Sequence, residues 1–110
     1  MQADAYLASR IIRLELVDTE SVLRVAIQQA PFQWPPTSGY QLPVAAWTAY
    51  AAKLASASTP EVWDQVSAVY STFSYTNLLA KLNLQTARSL LAETEAATAS
   101  LAALTRPSIT

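Results

Sequence analysis

The four acidic side chains best placed for chemistry in this sequence are Glu15, Asp18, Glu61 and Asp64. If the start of the third helix met the first helix, their carboxylates would form a cluster. Such a cluster offers only oxygen ligands, which suit Mg²⁺ or Ca²⁺ better than a transition metal. The chain has no histidine and no cysteine. Ser-His-Asp and Cys-His catalysis and thiolate metal sites are therefore excluded.

Three of these acids, Glu15, Glu61 and Asp64, also have a structural explanation, which we favour. Glu61 and Asp64 follow Pro60 in the first turn of a predicted helix, where the helix dipole stabilises negative charge. Glu15 lies within the apolar arc of the first helix, so we predict a buried structural acid, hydrogen-bonded to Asn77 or to a tyrosine hydroxyl. We therefore predict no catalytic residue, no metal site and no cofactor, and we expect that the protein is not an enzyme.

Asn77 is the second polar residue in an apolar setting. Steps of three and four residues along the C-terminal half trace one apolar stripe, in which an asparagine interrupts the pattern. The stripe consists of Trp63, Val66, Tyr70, Phe73, Asn77, Ala80, Leu84, Ala87, Leu91, Thr94, Thr98 and Leu101. A lone asparagine in such a stripe fixes the register of packed helices at some cost in stability. We predict a structural role of this kind for Asn77.

Aromatic side chains form the other candidate site. Phe32, Trp34 and Tyr40 lie in a loop over residues 31–43 that contains four prolines and the chain's one glycine, and Trp47 follows in the next helix. The favoured interpretation is that these residues cap one end of a helical bundle. The alternative is that they form a binding site for a peptide or a small molecule.

The elements that carry these residues are all helical. The sequence predicts a single all-α domain, a small bundle of three to four helices. Its segments are a first helix at about 4–30, the aromatic loop at 31–43, a short helix at 44–56 and a long helix or helix pair at 60–104. On the first helix, Arg10, Arg13, Glu20 and Arg24 are predicted to share one narrow solvent face, and Asp18 is placed within the apolar arc.

The segment 60–104 contains no internal glycine or proline, so the sequence is consistent with a single helix and with a pair of helices. A continuous helix would be about 67 Å long, whereas the first helix spans roughly 40 Å. The end of the segment therefore either folds back near Asn83 or projects and buries its leucines against another copy. We favour projection with self-association, because only Asn83 resembles a turn residue.

Composition bears on the partners. Charged residues make up 14% of the chain, below the roughly 25% of an ordinary soluble domain. A surface with so few charges favours self-association or a protein partner. The net charge of −1 gives no basic face for nucleic acid. Four prolines interrupt the longest uncharged stretch, residues 25–52, so it does not form a transmembrane helix, and the first residues show no signal peptide.

Several residues together resemble a group of bacterial proteins of unknown activity, in which a small helical domain follows one N-terminal membrane helix. These residues are Glu15, Leu16, Thr19, Val22, Leu23, Trp47, Thr59, Pro60, Glu61, Val62, Trp63, Tyr70 and Asn77. The similarity covers roughly residues 10–84, and Thr19 stands where that group has asparagine. The resemblance implies no activity. It implies that a membrane anchor precedes Met1 in a longer protein, of which this chain is the soluble part.

Three functions follow, in order of preference. The first is a non-enzymatic interaction or oligomerisation domain, tethered to a membrane if the resemblance holds. The second is a helical bundle that binds a peptide or a small molecule through Phe32, Trp34, Tyr40 and Trp47. The third and least favoured is an enzyme built on Glu15 and Asp18. The sequence does not indicate a cellular location.

Overall fold

The computed structural model of the protein describes residues 2–56 and 58–105. Within these residues the chain forms four α-helices and no strand: α1 (Gln2–Gln28), α2 (Ala45–Ala55), α3 (Pro60–Leu79) and α4 (Leu84–Thr105). The predicted all-α bundle is confirmed. Its principal dimensions are 49 × 25 × 20 Å, so the molecule is about as long as its first helix.

Local signals in the sequence explain where α3 begins. Thr59 precedes the helix in an extended conformation, and its hydroxyl accepts a hydrogen bond from the backbone N–H of Val62 at 3.3 Å. Pro60 occupies the first helical position, where a missing N–H costs nothing. The long connection between α1 and α2 contains four of the six prolines, and a proline does not continue a helix.

The helices pack so that the backbone of each lies close to two of the others. Contacts are most extensive between α1 and α4, followed by α1 with α2 and α3 with α4, whereas α1 and α3 lie on the diagonal. The side-chain pairs Glu20–Thr98 and Arg24–Glu95 show that α1 and α4 run antiparallel, because one number rises as the other falls. The core between the four helices is built around Ile12, Leu16, Val66, Phe73 and Leu101.

The end of the chain folds back, so our prediction of a projecting helix is wrong. Ala80 ends α3 in the left-handed conformation (φ 54°). The side chain of Asn83 then caps α4 by accepting a hydrogen bond from the N–H of Thr86 at 2.8 Å. These two residues make the turn without glycine or proline. As a result five residues of α4 are buried within the same chain. Ala87, Thr94 and Leu101 belong to the predicted stripe, and Leu90 and Ala97 lie beside it.

The solvent face of α1 also differs from the prediction. Glu20 is only 6% exposed and Arg13 is half-buried, whereas Asp18 is exposed. The exposed side of α1 instead carries Leu7, Leu14 and Val25. The reason is that α4 covers the side of α1 on which Glu20 lies. There the carboxylate of Glu20 accepts hydrogen bonds from Thr98 of α4 and from Arg24. No helix in the described part of the chain is long and apolar enough to cross a membrane.

Candidate functional site

Glu15 connects three helices. It projects from α1, and its Oε1 accepts a hydrogen bond from the hydroxyl of Tyr70 in α3 at 2.7 Å. Its Oε2 accepts a hydrogen bond from the backbone N–H of Ala46 at 3.0 Å. Val44, at the N-cap of α2, provides no side-chain cap, so the carboxylate of Glu15 satisfies the helix terminus in its place. Glu15 is half-buried, and its partner is a tyrosine hydroxyl, one of the two partners expected from the sequence.

Tyr70 acts as a hydrogen-bond donor at this site. Its side chain is 1% exposed. Burial raises the pKa of Tyr70 far above its ordinary value, and the hydrogen bond to Glu15 raises this pKa further. The hydroxyl therefore stays protonated and donates to the carboxylate. A protonated hydroxyl is neither a general base nor a nucleophile, and the hydrogen bond that it donates to Glu15 holds α3 against α1.

This pKa predicts that stability falls in alkaline solution. Below the ordinary tyrosine pKa of about 10, folded and unfolded chains both keep the Tyr70 proton, and its contribution to stability is fully present. At higher pH the unfolded chain loses this proton first. The free energy of unfolding then decreases by about 1.4 kcal/mol per pH unit. We expect this extra slope in wild type relative to Tyr70→Phe when urea unfolding is compared at about pH 9 and pH 11. Equal slopes would show that Tyr70 ionises normally.

Stacked aromatic rings fill the space between α2 and α3. Trp47 lies between Trp63 and Tyr70, with ring centroids 5.0 and 5.1 Å away, and it is nearly parallel to Tyr70. Phe73 meets Tyr70 edge-on at 5.3 Å. The backbones of α2 and α3 make little direct contact, so these rings provide most of the packing between the two helices. Trp47 is therefore part of the core packing.

Asn77 holds the long loop against α3. Its Oδ1 accepts a hydrogen bond from the backbone N–H of Leu42 at 2.7 Å, and its Nδ2 donates to the carbonyl of Leu42 at 2.9 Å. The side chain thus pairs with both polar groups of one loop residue, as a neighbouring strand would. Leu42 itself is buried at 1% exposure. The amide explains the interruption of the apolar stripe, but it anchors a loop and does not set the register of two helices.

We expect Asn77→Ala to destabilise the protein by about 2 kcal/mol, because both backbone groups of Leu42 lose their partner. Asn77→Asp keeps an acceptor for the N–H but places a second acceptor against the carbonyl, so it should also destabilise. Urea midpoints measure both effects, and limited proteolysis shows whether loop 29–44 is released. Wild-type stability in both variants would mean that the two hydrogen bonds between Asn77 and Leu42 do not stabilise the protein.

The four acids do not form a cluster. Glu15 is engaged inside the bundle, whereas Asp18, Glu61 and Asp64 are exposed. Within residues 2–56 and 58–105, no group of three or more acidic side chains is arranged to hold a metal ion. A different carboxylate, that of Glu20, was predicted to face solvent but is buried. It pairs with Arg24 at 2.9 Å in the same helix. The available signal was this spacing of four residues, which brings two charges together on a helix.

Phe32 and Trp34 lie at one end of the bundle, as the favoured interpretation expected. They line a cavity of about 570 Å³ together with Leu82, from the turn between α3 and α4. Trp34 and Leu82 also line an adjoining cavity of about 520 Å³, whose wall includes Leu79. Tyr40 supports Trp34 edge-on, with 5.7 Å between ring centroids. We call Phe32, Trp34, Leu78, Leu79 and Leu82 the apolar end of the bundle.

Of the four predicted aromatic residues, only Phe32 and Trp34 line these two cavities, whereas Tyr40 and Trp47 pack against the core, as Trp34 also does. Lys81 is the one charged side chain among the residues that line the two cavities.

Comparison with known proteins gives no further guide: no protein-family model, no curated protein and no solved structure matches this chain.

Proposed function

We propose that this protein is a non-enzymatic interaction domain, which joins copies of the chain or a protein partner through apolar side chains on the outside of the bundle. The observation that carries the proposal is the exposure of large apolar side chains at the end of α3. Leu78 is 81% exposed, Tyr75 62% and Leu79 48%. These three residues lie within two turns of α3, and Leu79 also lines the second cavity. Together they form an apolar surface of the kind that protein interfaces use.

The carboxylates support the same function. Glu15 is occupied by Tyr70 and the start of α2, and Glu20 is occupied by Arg24 and Thr98. These hydrogen bonds fix the relative positions of α1, α2, α3 and α4. These two carboxylates are thus explained by the construction of the bundle, whereas the exposed apolar side chains at the end of α3 are not.

Photo-crosslinking from position 78 tests the proposal. A benzoylphenylalanine at Leu78, introduced in cells that make the protein naturally, should give covalent adducts with a second protein chain. The matched control is the same group at Thr48, an exposed residue of α2. Leu78→Glu should leave the melting temperature unchanged, because the side chain is exposed, and it should abolish the interaction. The proposal fails if the purified protein remains monomeric at every concentration and position 78 gives no adduct.

The second candidate function is binding of a peptide or a small molecule at the apolar end. The specific observation is the pair of adjoining cavities that share Trp34 and Leu82. Selection of displayed peptides on the purified domain tests this function. Selected peptides should lose binding to Trp34→Ala and retain it with Tyr50→Ala, since Tyr50 lines neither cavity. Peptides that bind both variants equally would exclude the loop as their site.

A further inference from the structure

The outer face of α1 carries an exposed apolar row. Leu7 is 48% exposed, Leu14 50% and Val25 58%. These residues are separated by seven and eleven positions, and both spacings return to the same side of an α-helix with 3.6 residues per turn. Ile11 and Val17 flank the row and are half-buried. The row is distinct from the apolar end, which α3 and the loops form.

The charges along this face are arranged with opposite signs about Leu14. Arg10 lies four residues before Leu14, and Asp18 lies four residues after it. Ile11 and Val17, both half-buried apolar residues, lie three residues before and three residues after Leu14 on the two edges of this face. Arg10 and Asp18 are both exposed, and the ion pairs found within residues 2–56 and 58–105 include neither of them. Arg10 and Asp18 therefore place one basic and one acidic side chain at equal distances on either side of Leu14.

A face of this kind is complementary to a second copy of itself in one orientation. When two α1 helices lie antiparallel with both Leu14 side chains on the two-fold axis, Arg10 of each copy meets Asp18 of the other. Ile11 then lies opposite Val17 of the second copy. In a parallel arrangement Arg10 would face Arg10 and Asp18 would face Asp18, which is unfavourable. Because a two-fold interface uses the same surface of both copies, the pair of Arg10 with Asp18 forms twice, once on each side of the axis.

We propose that two copies of the protein associate through the outer face of α1, antiparallel and centred on Leu14. This inference rests on the proposed function as an interaction domain, and it adds a second copy of the chain as the partner of a surface other than the end of α3. The second copy covers the exposed Leu14 and brings Arg10 and Asp18 of each chain into ion pairs across the interface.

Charge reversal tests the pairing. Arg10→Asp places two acids opposite each other in each half of the dimer, and Asp18→Arg does the same with two bases. Each single variant should weaken dimerisation about tenfold in sedimentation equilibrium, since two exposed ion pairs become two repulsive ones. The double variant Arg10→Asp/Asp18→Arg should dimerise as wild type does. Mixing the two single variants should also restore a dimer, because their charges are complementary.

Cysteine crosslinking tests the register, and the absence of native cysteine makes it specific. Leu14→Cys should form a disulfide-linked dimer on mild oxidation, because position 14 faces itself. The control is Ser21→Cys, exposed on the same side of α1. In the antiparallel register the two copies of position 21 would be roughly 21 Å apart along the helix axis, too far for a disulfide. Both positions would crosslink in a parallel dimer.

The outcomes separate this inference from the proposed function. A dimer that is insensitive to both charge reversals, or that crosslinks at position 21 and not at position 14, overturns the α1 interface but leaves an interaction domain. A monomeric wild type that is crosslinked to another protein from position 78 does the same. Monomeric behaviour together with no adduct at position 78 overturns both.

Discussion

Ala97→Glu should unfold the protein or destabilise it by about 4 kcal/mol, because the substitution forces a long charged side chain into a packed core. Ala97 lies in α4 and has no exposed surface. It belongs to the hydrophobic core of the same chain, where a new carboxylate would lose its hydration. A loss of this size is a large part of the roughly 5–15 kcal/mol of a typical domain. Urea unfolding followed by circular dichroism measures it.

Ala99→Glu is the matched control. Position 99 is in the same helix, two residues further on, and is exposed. The same change of size and charge should therefore alter stability by less than about 0.5 kcal/mol. If α4 projected from the bundle and paired with another copy, the cost of Ala97→Glu would depend on protein concentration. Destabilisation that is independent of concentration confirms that the fold-back lies within one chain.

The helix content of this fold was predictable because its signals are local. Apolar periodicity, prolines outside the helices and the Thr59–Pro60 start signal all act within a few residues. The fold-back of α4 near Asn83 was the less favoured of the two predicted alternatives, and it is the one that the structure shows. The turn depends on Ala80 in a left-handed conformation, which alanine adopts at some cost and which no sequence pattern announces. Packing of α4 against α1 compensates for that cost.

The site shows the same division between local and tertiary information. Glu15 was recognised because an acid within an apolar arc needs a partner, and a tyrosine hydroxyl is that partner. The second role of Glu15, at the start of α2, depends on how the long loop returns, which the sequence leaves open. Glu20 was assigned to solvent because helix phase alone does not identify which side a neighbour covers. The neighbour that covers Glu20 is α4, whose Thr98, 78 positions away in sequence, donates a hydrogen bond to the Glu20 carboxylate.

Glu15→Ala should destabilise the protein by about 3 kcal/mol, because two groups lose their acceptor at once. The hydroxyl of Tyr70 is buried, so solvent does not take the place of the carboxylate. The backbone N–H of Ala46 loses the side chain that caps α2, where Val44 offers no substitute. Glu15→Gln keeps an oxygen acceptor of nearly the same size, and it should cost about 1 kcal/mol or less. Urea unfolding at neutral pH gives both values.

A double-mutant cycle with Tyr70→Phe separates the two roles of Glu15. Tyr70→Phe removes the hydroxyl and keeps the stacked ring, so removing Glu15 in that background leaves only the N–H of Ala46 without its acceptor. Glu15→Ala should therefore cost about 1 kcal/mol less in the Tyr70→Phe protein than in wild type. An equal cost in both backgrounds would show that the hydrogen bond from Tyr70 contributes nothing, and that Glu15 acts on α2 alone.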